Sequence, residues 1–267
     1  MIQSGPPNPL PRHWSWWEDG AHDGVTNMAI DEALLATVRP GAGTWRWYAW
    51  SAPTVSFGRN ERIAGRLAPA RLAASGLGAV RRPTGGRALL HHRELTYCVT
   101  MPLAAHLSWR VAYDAVNRVL RDALRTTGVP VQLAADGGPV SPDGPVCFDR
   151  PAAGELTVGG RKLVGSAVWR HGDAYLQHGS ILLHDDQHLL QAISPSAAPT
   201  PAAATLTECR PDVDEEALGQ RVRGAVHDTL QTRAEVQLRH ERLDDDWPGL
   251  VASHRRHFSD PAWLWRR

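Results

Sequence analysis

The spacing of hydrophobic residues predicts that the chain alternates between strands and helices. In TNMAIDEALLATV, apolar residues recur every three or four positions, which predicts a helix that Thr26 or Asn27 caps and that ends before Pro40. In TWRWYAW, Trp45 and Trp47 alternate with more polar positions, as they do in a strand. The same reasoning predicts strands at 54–57, 79–82, 88–91, 95–101, 174–183 and 234–239, and helices at 69–75, between Ser108 and Gly128, and at 215–232.

A pair of glycines predicts a β-hairpin in the second half of the chain. Residues 155–158 and 162–169 both have the pattern of strands, and Gly159 and Gly160 lie between them. Glycine adopts the positive φ angles that a two-residue hairpin turn requires, so the two strands are expected to pair.

The sequence predicts one large domain flanked by less regular regions. Residues 1–25 are expected to form an irregular leader whose tryptophan-rich patch packs onto the body of the protein. Residues 26–193 form the main domain, and residues 194–267 form a linker followed by a helical and strand extension that packs on the same domain. The segment 194–204 is rich in alanine and proline, which predicts a surface connection or a mobile loop.

Length, composition and charge place the chain among water-soluble globular proteins. It has 267 residues, of which 42% are hydrophobic and 21% charged, and its mean hydropathy is −0.34. It contains no run of about 20 apolar residues, and residues 1–11 lack the basic and apolar regions of a secretory signal, so a cytoplasmic location is expected. A formal net charge of +1 argues against a nucleic-acid-binding platform.

Lys162 is the one lysine among 29 basic residues. Such a bias indicates that arginine has replaced lysine wherever a generic positive charge suffices, so a retained lysine marks a position where arginine does not serve. Lysine offers a compact ammonium whose pKa can shift, whereas arginine offers a planar group that stays charged. The alternative interpretation is that Lys162 has been retained by chance.

The three cysteines are too few and too widely spaced for a structural role as disulfides or metal ligands. Cys98, Cys147 and Cys209 include no CxxC pair, which excludes a disulfide framework and a zinc knuckle, and no metal site is expected. Cys98 lies in an apolar strand and is predicted to be a small core residue. Cys209 has polar neighbours and is predicted to be exposed. Cys147 lies in the loop GPVCFDRPA, fifteen residues before Lys162.

The loop RRPTGGRALLHH combines several groups that bind negatively charged oxygen. Arg81, Arg82 and Thr84 precede Gly85 and Gly86. Guanidinium groups and unhindered backbone amides both favour negative oxygen, so the loop is a candidate cradle for an anion or an acyl carbonyl; the alternative is an ordinary turn. Because adjacent residues of a strand point to opposite faces, only one of the two arginines is expected to reach the site.

A second segment, GRKLVGSAVWRHGDAYLQHGSILL, carries Lys162 and further candidate binding residues. If it lies on a strand next to the first loop, the two segments meet at one site. The candidate binding residues of this segment are Gly165, Ser166, Ala167, His178 and Gly179.

Four motifs in this order resemble the lipoate and biotin protein ligase superfamily. They are NMAIDEALL, SAPTVSFGRNE, RRPTGG with LLHHRELTY, and KLVGSA with HGSILL, and together they extend over residues 26–183. The resemblance implies an α+β fold in which mixed β-sheets are flanked by helices. It also implies that Lys162 is the active-site lysine and that residues 26–193 are a catalytic acyltransferase domain.

The surroundings of Cys147 resemble the octanoyltransferases of the LipM class more than the ATP-dependent ligases of the superfamily. The pattern Cys-Phe-Asp-x-Pro is similar to the nucleophile loop of that class, and ligases lack a cysteine there. Arg87 and Glu94 also stand where ligases usually have glycine and Gly-Asn. His92 departs from the family, which usually has aspartate at this position.

The resemblance implies an acyl transfer that needs no cofactor. Octanoyl-acyl carrier protein is the implied donor, and a lysine of the glycine-cleavage H protein or of a dehydrogenase lipoyl domain is the implied acceptor. Cys147 would carry the octanoyl group as a thioester, while Lys162 would lower the pKa of the thiol and stabilise the oxyanion. His92 and His178 are candidate proton shuttles, although a histidine in a strand more often has a structural role.

Two other functions are compatible with the same motifs. An ATP-dependent lipoate-protein ligase would be indifferent to Cys147, and a non-catalytic acyl-binding or partner-binding module would have no need to retain Lys162. Neither a nucleic acid nor a membrane is an expected partner. Acyl carrier proteins are acidic, so exposed arginines near the site are expected to dock the donor. The candidates are Arg82, Arg87, Arg161 and Arg170.

Overall fold

Strands and helices alternate along the chain, as the hydrophobic pattern predicts. The structure is a computed structural model, and it describes residues 9–63, 69–135, 151–193, 202–238 and 247–266. None of the helices in these ranges is long and apolar enough to cross a membrane. The strands are β1 (His13–His22), β2 (Ala42–Trp50), β3 (Thr54–Phe57), β4 (Gly78–Arg81), β5 (Leu89–His91), β6 (Glu94–Pro102), β7 (Gln132–Leu133), β8 (Leu156–Val158), β9 (Arg161–His171), β10 (Ala174–Leu182) and β11 (Glu235–Leu238). The helices are α1 (Gly24–Ala36), α2 (Pro69–Ala74), α3 (Trp109–Thr126), α4 (Leu190–Ile193), α5 (Leu206–Cys209), α6 (Glu215–Gln231), α7 (Trp247–Phe258) and α8 (Pro261–Leu264).

The described strands form two sheets. The larger sheet has eight strands in the order β11-β1-β2-β6-β10-β9-β8-β7, and the smaller sheet has three in the order β4-β3-β5. Strand β1 is parallel to both of its neighbours, whereas the pairs from β2 to β7 are antiparallel. This mixed sheet with flanking helices confirms the predicted α+β fold class.

The main core lies between one face of the larger sheet and helices α3 and α6. Trp45, Trp47 and Tyr97 project from β2 and β6 into this core, and their rings contact one another. Val116 and Leu120 of α3 lie on its buried side, at helical spacing. Large aromatic side chains bury much apolar area, so the tryptophan-rich strand stabilises the fold from its centre.

Helix α1 covers the opposite face of the larger sheet and packs against α7. The predicted caps, Thr26 and Asn27, are wrong: the helix begins earlier, and Asp23 caps it by accepting a hydrogen bond from the Thr26 amide. The Asn27 side chain instead donates to the Ala49 carbonyl of β2 at 2.9 Å. The residue therefore ties the helix to the sheet.

Two further sequence predictions are confirmed in detail. Ser108 caps α3 by accepting from the Arg110 amide. Gly159 and Gly160 have φ angles of 57° and 77° and join β8 to β9 as a hairpin. The hairpin fixes the register of β9, the strand that carries Lys162.

The prediction of an irregular leader over residues 1–25 is wrong for residues 13–22, which form β1. Trp14 and Trp16 of this strand are buried in the main core. The strand pairs on one side with β2 and on the other with β11, more than 200 residues away along the chain. Because β11 is so distant along the chain, no local sequence pattern indicates the pairing, and the prediction from the sequence missed strand β1.

The C-terminal region packs on both faces of the larger sheet. Helix α6 contacts α3, α7 contacts α1, and β11 extends the sheet itself. Of the predicted linker 194–204, residues 194–201 lie outside the described residues. Ala203 and Ala204 are buried, and the Ala204 amide donates to the Lys162 carbonyl at 2.9 Å, so a surface path is wrong for these two residues. The division into three regions stays a prediction.

Candidate functional site

Two adjacent cavities meet at the loop after β4 and the middle of β9. We call the first the narrow pocket, and the second, which has a volume of about 470 Å³, the cleft. Gly86, Ser166 and Ala167 line both, so the narrow pocket and the cleft are neighbours that share a wall. The narrow pocket is lined by these three residues and by Met28, Tyr48, Arg82, Leu89, His91, Gly165, His178, Gly179 and Ser180. The cleft is lined by these three residues and by Gly85, Arg87, Trp109, Arg110, Tyr113, Asp114, Ala152, Ala153, Gly154, Glu155, Lys162 and Val168.

Lys162 lies in the cleft as half of a buried ion pair. Its residue is only 3% exposed, and its Nζ donates to Glu155 Oε1 at 2.7 Å. The other carboxylate oxygen of Glu155 accepts from the Ala152 amide, also at 2.7 Å. A buried ammonium without such a partner would be costly, so Glu155 allows the lysine to stay charged next to the cleft. The sequence predictions did not include Glu155.

Close packing of the backbone explains Gly179 of the second segment. Gly165 and Gly179 lie on the paired strands β9 and β10. A Cβ atom on Gly179 would stand 2.5 Å from the Gly165 carbonyl oxygen and 2.8 Å from the Tyr97 hydroxyl. Both distances are shorter than real carbon contacts, so a side chain at Gly179 would force the strands and Tyr97 apart. Glycine at position 179 therefore allows β9, β10 and Tyr97 to pack closely beside the narrow pocket.

Ser166 is held by a chain of buried polar side chains that sequence reasoning missed. Its hydroxyl shares a 2.7 Å hydrogen bond with the Tyr97 hydroxyl. Gln177 donates to Tyr97 and to Asn117, both at 2.9 Å, and Asn117 donates to the Gly154 carbonyl at 2.9 Å. Burial raises the pKa of Tyr97, which therefore remains a neutral hydroxyl. The chain links the floor of the cleft to the point where the two cavities meet.

Arg81 and Arg82 point in opposite directions, in agreement with strand alternation. Arg82 lines the narrow pocket and donates to the Ser56 hydroxyl and carbonyl, both at 2.9 Å, and to the carbonyls of the loop that it begins. Arg81 is buried elsewhere, where it donates to the carbonyls of Gly58, Glu61 and Leu264. Arg82 is therefore the arginine that reaches the site, and Arg81 ties the C-terminal segment to the smaller sheet.

Thr84 and His178 belong to a buried relay that ends at an arginine. The Thr84 hydroxyl lies 2.7 Å from His178 Nε2, and His178 Nδ1 lies 2.9 Å from Asp31 Oδ2. The second oxygen of Asp31 accepts from Arg46 at 2.6 Å. Burial is the largest influence on His178 and lowers its pKa against the opposing attraction of Asp31, so the ring is neutral near pH 7. The relay fixes the loop of Thr84, Gly85 and Gly86 over the narrow pocket.

A second histidine relay lies at the inner part of the narrow pocket. His91 Nε2 lies 2.7 Å from the Ser56 hydroxyl, and His91 Nδ1 lies 2.7 Å from Glu94 Oε1. The Trp50 ring stacks on the His91 ring with their centroids 4.0 Å apart. Ser180 also donates to Glu94 Oε1, at 2.7 Å. The sequence predictions named His178 and His92 but not His91. Of the adjacent His91 and His92, however, it is His91 that lines the pocket.

The structure does not bring His92 to either cavity. The side chain is exposed at the protein surface, and its Nδ1 lies 2.9 Å from Asp186 Oδ2. Strand β5 ends at His91, which faces the narrow pocket, and the His92 side chain points to the surface. The geometry therefore argues against His92 as a proton shuttle and leaves His178 as the candidate.

The cysteines have different environments. Cys98 is buried in the larger sheet, where burial raises the pKa of its thiol, and its predicted role as a core residue is confirmed. Cys209 is half-buried at the end of α5 and packs against the main core, so the prediction that it is exposed is only partly correct. Cys147 lies outside the described residues. Within the described ranges, no group of three metal-ligating side chains occurs.

The buried relay predicts that acid destabilises the protein. Because the pKa of His178 is lowered in the folded state, the unfolded chain binds a proton first as the pH falls below about 6.5. Stability from this group is therefore complete above pH 6.5 and is lost below it, by up to about 1.4 kcal/mol per pH unit. Urea unfolding between pH 7.5 and 5 should show this slope, and His178→Gln should reduce it. The same substitution at the exposed His188 should leave the slope unchanged; equal slopes in both variants would contradict the assignment.

Known proteins share both the sequence and the fold. The model of the family described as the lipoyl protein ligase A/B catalytic domain matches residues 23–222, past the predicted domain boundary at 193. An octanoyltransferase LipM of Moorella thermoacetica is 44% identical over 178 residues, which are 64% of this chain and 65% of that protein. An octanoyltransferase LipM of Symbiobacterium thermophilum is 37% identical over 79% of this chain and 80% of its own length. A bipartite lipoate protein ligase, studied with its E2 lipoyl domain from Thermoplasma acidophilum, covers 96% of both chains with a TM-score of 0.71 at 18% identity, which shows a common fold.

Proposed function

Because the chain belongs to the lipoyl protein ligase A/B catalytic domain family, we propose that it is an octanoyltransferase of lipoate biosynthesis. The observation that carries the proposal is the position of Lys162, the one lysine of the chain, which is buried beside a cleft that shares a wall with a narrow pocket. The relatives named octanoyltransferase LipM, at 44% and 37% identity, support octanoate as the acyl group. The enzyme takes octanoate from octanoyl-acyl carrier protein and transfers it to a lysine of an acceptor protein.

The reaction proceeds in two steps through Cys147. The thiolate attacks the octanoyl carbonyl, a new C–S bond forms, and the bond to the carrier thiol breaks, so that the carrier leaves with a proton. The acceptor amine then attacks the enzyme thioester, the C–N bond forms, and Cys147 departs while the nitrogen loses a proton to solvent. The amide is more stable than either thioester, so no nucleotide is needed.

Chain connectivity supports Cys147 as the nucleophile. Although Cys147 lies outside the described residues, Pro151 is only four residues away, and Ala152 and Gly154 line the cleft. An extended chain advances at most about 3.6 Å per residue, so the Cα atoms of Cys147 and Pro151 are within about 14 Å of each other. This limit is compatible with a role for Cys147 at the cleft that Lys162 lines.

We propose that the octanoyl chain binds in the narrow pocket, which has a volume of about 40 Å³ and must widen to take the chain. Met28 and Leu89 give it apolar walls, and Gly165 and Gly179 line it without a side chain. Burying seven tail carbons at about 0.8 kcal/mol each would contribute on the order of 5 kcal/mol to binding. Lys162 lies in the adjoining cleft, where its ammonium stabilises the negative oxygen that forms during attack on the carbonyl.

A lipoyl domain is the proposed acceptor class, with the glycine-cleavage H protein as an equivalent substrate. The similar Thermoplasma acidophilum ligase was studied together with its E2 lipoyl domain, which supports a protein acceptor for this fold. The open cleft leads from the surface to Lys162, so a lysine side chain of the acceptor can enter from that side.

Transfer without nucleotide tests the proposal. The purified protein is incubated with octanoyl-carrier protein and a lipoyl domain, without ATP, and the lipoyl domain is analysed by mass spectrometry. We expect one octanoyl group on its acceptor lysine. Transfer only from free octanoate with ATP would instead identify a ligase, and binding of the carrier without any transfer would identify a non-catalytic module.

The structure changes the set of arginines that are expected to dock the carrier. Arg82 is buried, and neither Arg161 nor Arg170 lines the cleft, so these three do not form the predicted patch. Arg87 does line the cleft, and so does Arg110, whose guanidinium stacks on the exposed Trp109 ring. We propose that Arg87 and Arg110 form the docking surface for the acidic carrier.

This docking surface predicts a salt dependence that is specific to the carrier. Surface charges are screened over about 8 Å at physiological salt, so kcat/KM with octanoyl-carrier protein should fall about tenfold between 50 and 500 mM NaCl. A small octanoyl thioester without the carrier should show no such fall. Arg87→Gln together with Arg110→Gln should flatten the salt dependence, whereas Arg161→Gln should not. The same salt dependence for both donors would rule out the docking surface.

A further inference from the structure

The narrow pocket is smaller than the acyl chain that it is proposed to bind. Its volume is about 40 Å³, whereas pockets that enclose a small organic ligand usually have about 300–1,000 Å³. An octanoyl tail therefore enters only if at least one wall of the pocket moves. Which wall moves, and how far, decides the length of chain that fits.

Hydrogen bonds hold every polar side chain among the described residues that line the narrow pocket. The pairs are Tyr48 with Asp31, Arg82 with Ser56, His91 with Glu94, Ser166 with Tyr97, His178 with Thr84, and Ser180 with Glu94. Moving one of these side chains would leave a buried donor or acceptor without a partner, which is costly. Glycines and Ala167 have no long side chain to move. The two long apolar side chains of the lining, Met28 and Leu89, are therefore the walls that can yield.

Of these two side chains, Met28 has the greater freedom to change its conformation. Methionine is unbranched and has three rotatable bonds, so it adapts to cavities of irregular shape, whereas leucine is branched and stiffer. Leu89 packs against Leu182 of the larger sheet. Met28 packs on α1 against Val80 of β4 and Phe258 at the end of α7, contacts that are all apolar. Its side chain can thus change rotamer without breaking a hydrogen bond.

Met28 lies away from the entrance of the narrow pocket. Gly86, Ser166 and Ala167 form the wall shared with the cleft, but Met28 lines the narrow pocket and not the cleft. The acyl carbonyl belongs at the shared wall, because Lys162 lines the cleft on the other side. The tail of the acyl chain then points towards Met28.

We infer that Met28 is the specificity-determining residue that sets the length of the acyl chain. Its side chain turns aside far enough to admit eight carbons, and in its new position it blocks a longer chain. The inference rests on the proposed function, which places the acyl chain in this pocket. Met28 contacts the end of the tail and takes no part in the chemistry of transfer.

Met28→Ala tests the inference by removing the blocking side chain. The probes are pantetheine thioethers that carry a hexyl, octyl or decyl chain, which have no acyl group to transfer, and the readout is their Kd from isothermal titration calorimetry. The unmodified protein should bind the octyl probe most tightly. Each further buried methylene favours binding about fourfold, so the decyl probe should gain about fifteenfold over the octyl probe in Met28→Ala.

Met28→Leu should shift the preference in the opposite direction. Leucine has nearly the same volume, so the fold is retained even if the alanine variant does not fold. Its branched side chain has one rotatable bond fewer and cannot turn aside as far. The hexyl probe should therefore gain about fourfold over the octyl probe, the effect of one methylene that no longer fits.

Met101→Ala is the matched control. Met101 lies on β6, is fully buried in the main core and does not line the narrow pocket. The same truncation there should lower the stability of the protein and leave the ranking of the three probes unchanged. The kcat/KM values for transfer from carrier proteins loaded with six-, eight- and ten-carbon acyl chains should follow the same ranking as the probes in every variant.

Folded Met28 variants that rank the three probes as the unmodified protein does would overturn the inference. The same change of ranking in Met101→Ala would overturn it as well, and so would an unmodified protein that binds none of the probes. An unmodified protein that binds the octyl probe but transfers no octanoate would overturn the proposed function instead. The ranking of the probes would then still decide the role of Met28.

Discussion

A Cys147→Ser protein is expected to transfer octanoate on the order of a thousandfold more slowly than the unmodified protein, a loss of about 4 kcal/mol in transition-state stabilisation. The ammonium of Lys162 can favour the thiolate of a cysteine, whose thiol has an ordinary pKa of about 8.5, but it cannot ionise a serine hydroxyl to a useful extent. An oxygen ester would also be a poorer acyl donor to the acceptor amine than a thioester. Both steps of the reaction therefore lose rate.

Intact-protein mass spectrometry measures this result at the intermediate itself. After incubation with octanoyl-carrier protein alone, the unmodified protein should gain one octanoyl group that hydroxylamine removes, and Cys147→Ser should gain none. Cys209→Ser is the control, since Cys209 packs half-buried at the end of α5 and does not line the cleft. A Cys147→Ser protein that transfers at the rate of the unmodified protein would refute the thioester route and favour the ATP-dependent ligase.

The local parts of the fold could be predicted from the sequence because their signals are local. Ser108 and the apolar spacing after it define α3, and Gly159 and Gly160 define the hairpin that sets the register of Lys162. Strand β1 could not be recognised in the same way. Its partners include β11, whose residue Glu235 pairs with His13, and no short-range pattern encodes a parallel pairing over that distance.

The site could be predicted where a single residue is unusual in the sequence. It could not be predicted where residues from separate elements act together through hydrogen bonds. Lys162 stands out by composition, and the structure indeed buries it beside the cleft. Asn117, Gln177 and Tyr97 come from three separate elements, and their hydrogen bonds exist only after α3 packs on the sheet. One sequence feature could have indicated this network. Gln177 lies on the same face of β10 as Tyr175 and Gly179, the core side, where a buried amide side chain needs a hydrogen-bond partner.

The adjacent residues His91 and His92 show that a motif can be identified correctly while the wrong residue within it is assigned to the site. HH at 91–92 belongs to the motif that resembles the family, yet His91 faces the narrow pocket and His92 faces solvent. Strand β5 ends at His91, and adjacent residues of an extended chain point to opposite sides, so only one of the pair could reach the pocket. The pattern HHRE gives no means of choosing between them. The choice depends on Ser56 and Glu94, which bind His91 from β3 and β6.

Lys162→Arg is expected to lose at least about a hundredfold in octanoyl transfer while it keeps its fold. The substitution retains a positive charge, but the Lys162 side chain is only 3% exposed and its ammonium donates to Glu155 over 2.7 Å. A planar guanidinium is larger and cannot occupy the volume of a compact ammonium without displacing the Glu155 carboxylate, and with it the Ala152 amide. Overpacking of this kind costs about 1–3 kcal/mol, less than the stability of a typical domain.

Transfer kinetics and thermal unfolding, measured on the same preparation, separate the two effects of Lys162→Arg. The transfer rate should fall by the stated factor while the protein unfolds in one cooperative transition. Arg161→Lys is the matched control, because it exchanges the same two residue types at the exposed neighbouring position of β9. Near-full activity in Lys162→Arg would mean that charge alone suffices at this position. A property other than the shape of its ammonium would then explain why Lys162 is the one lysine among 29 basic residues.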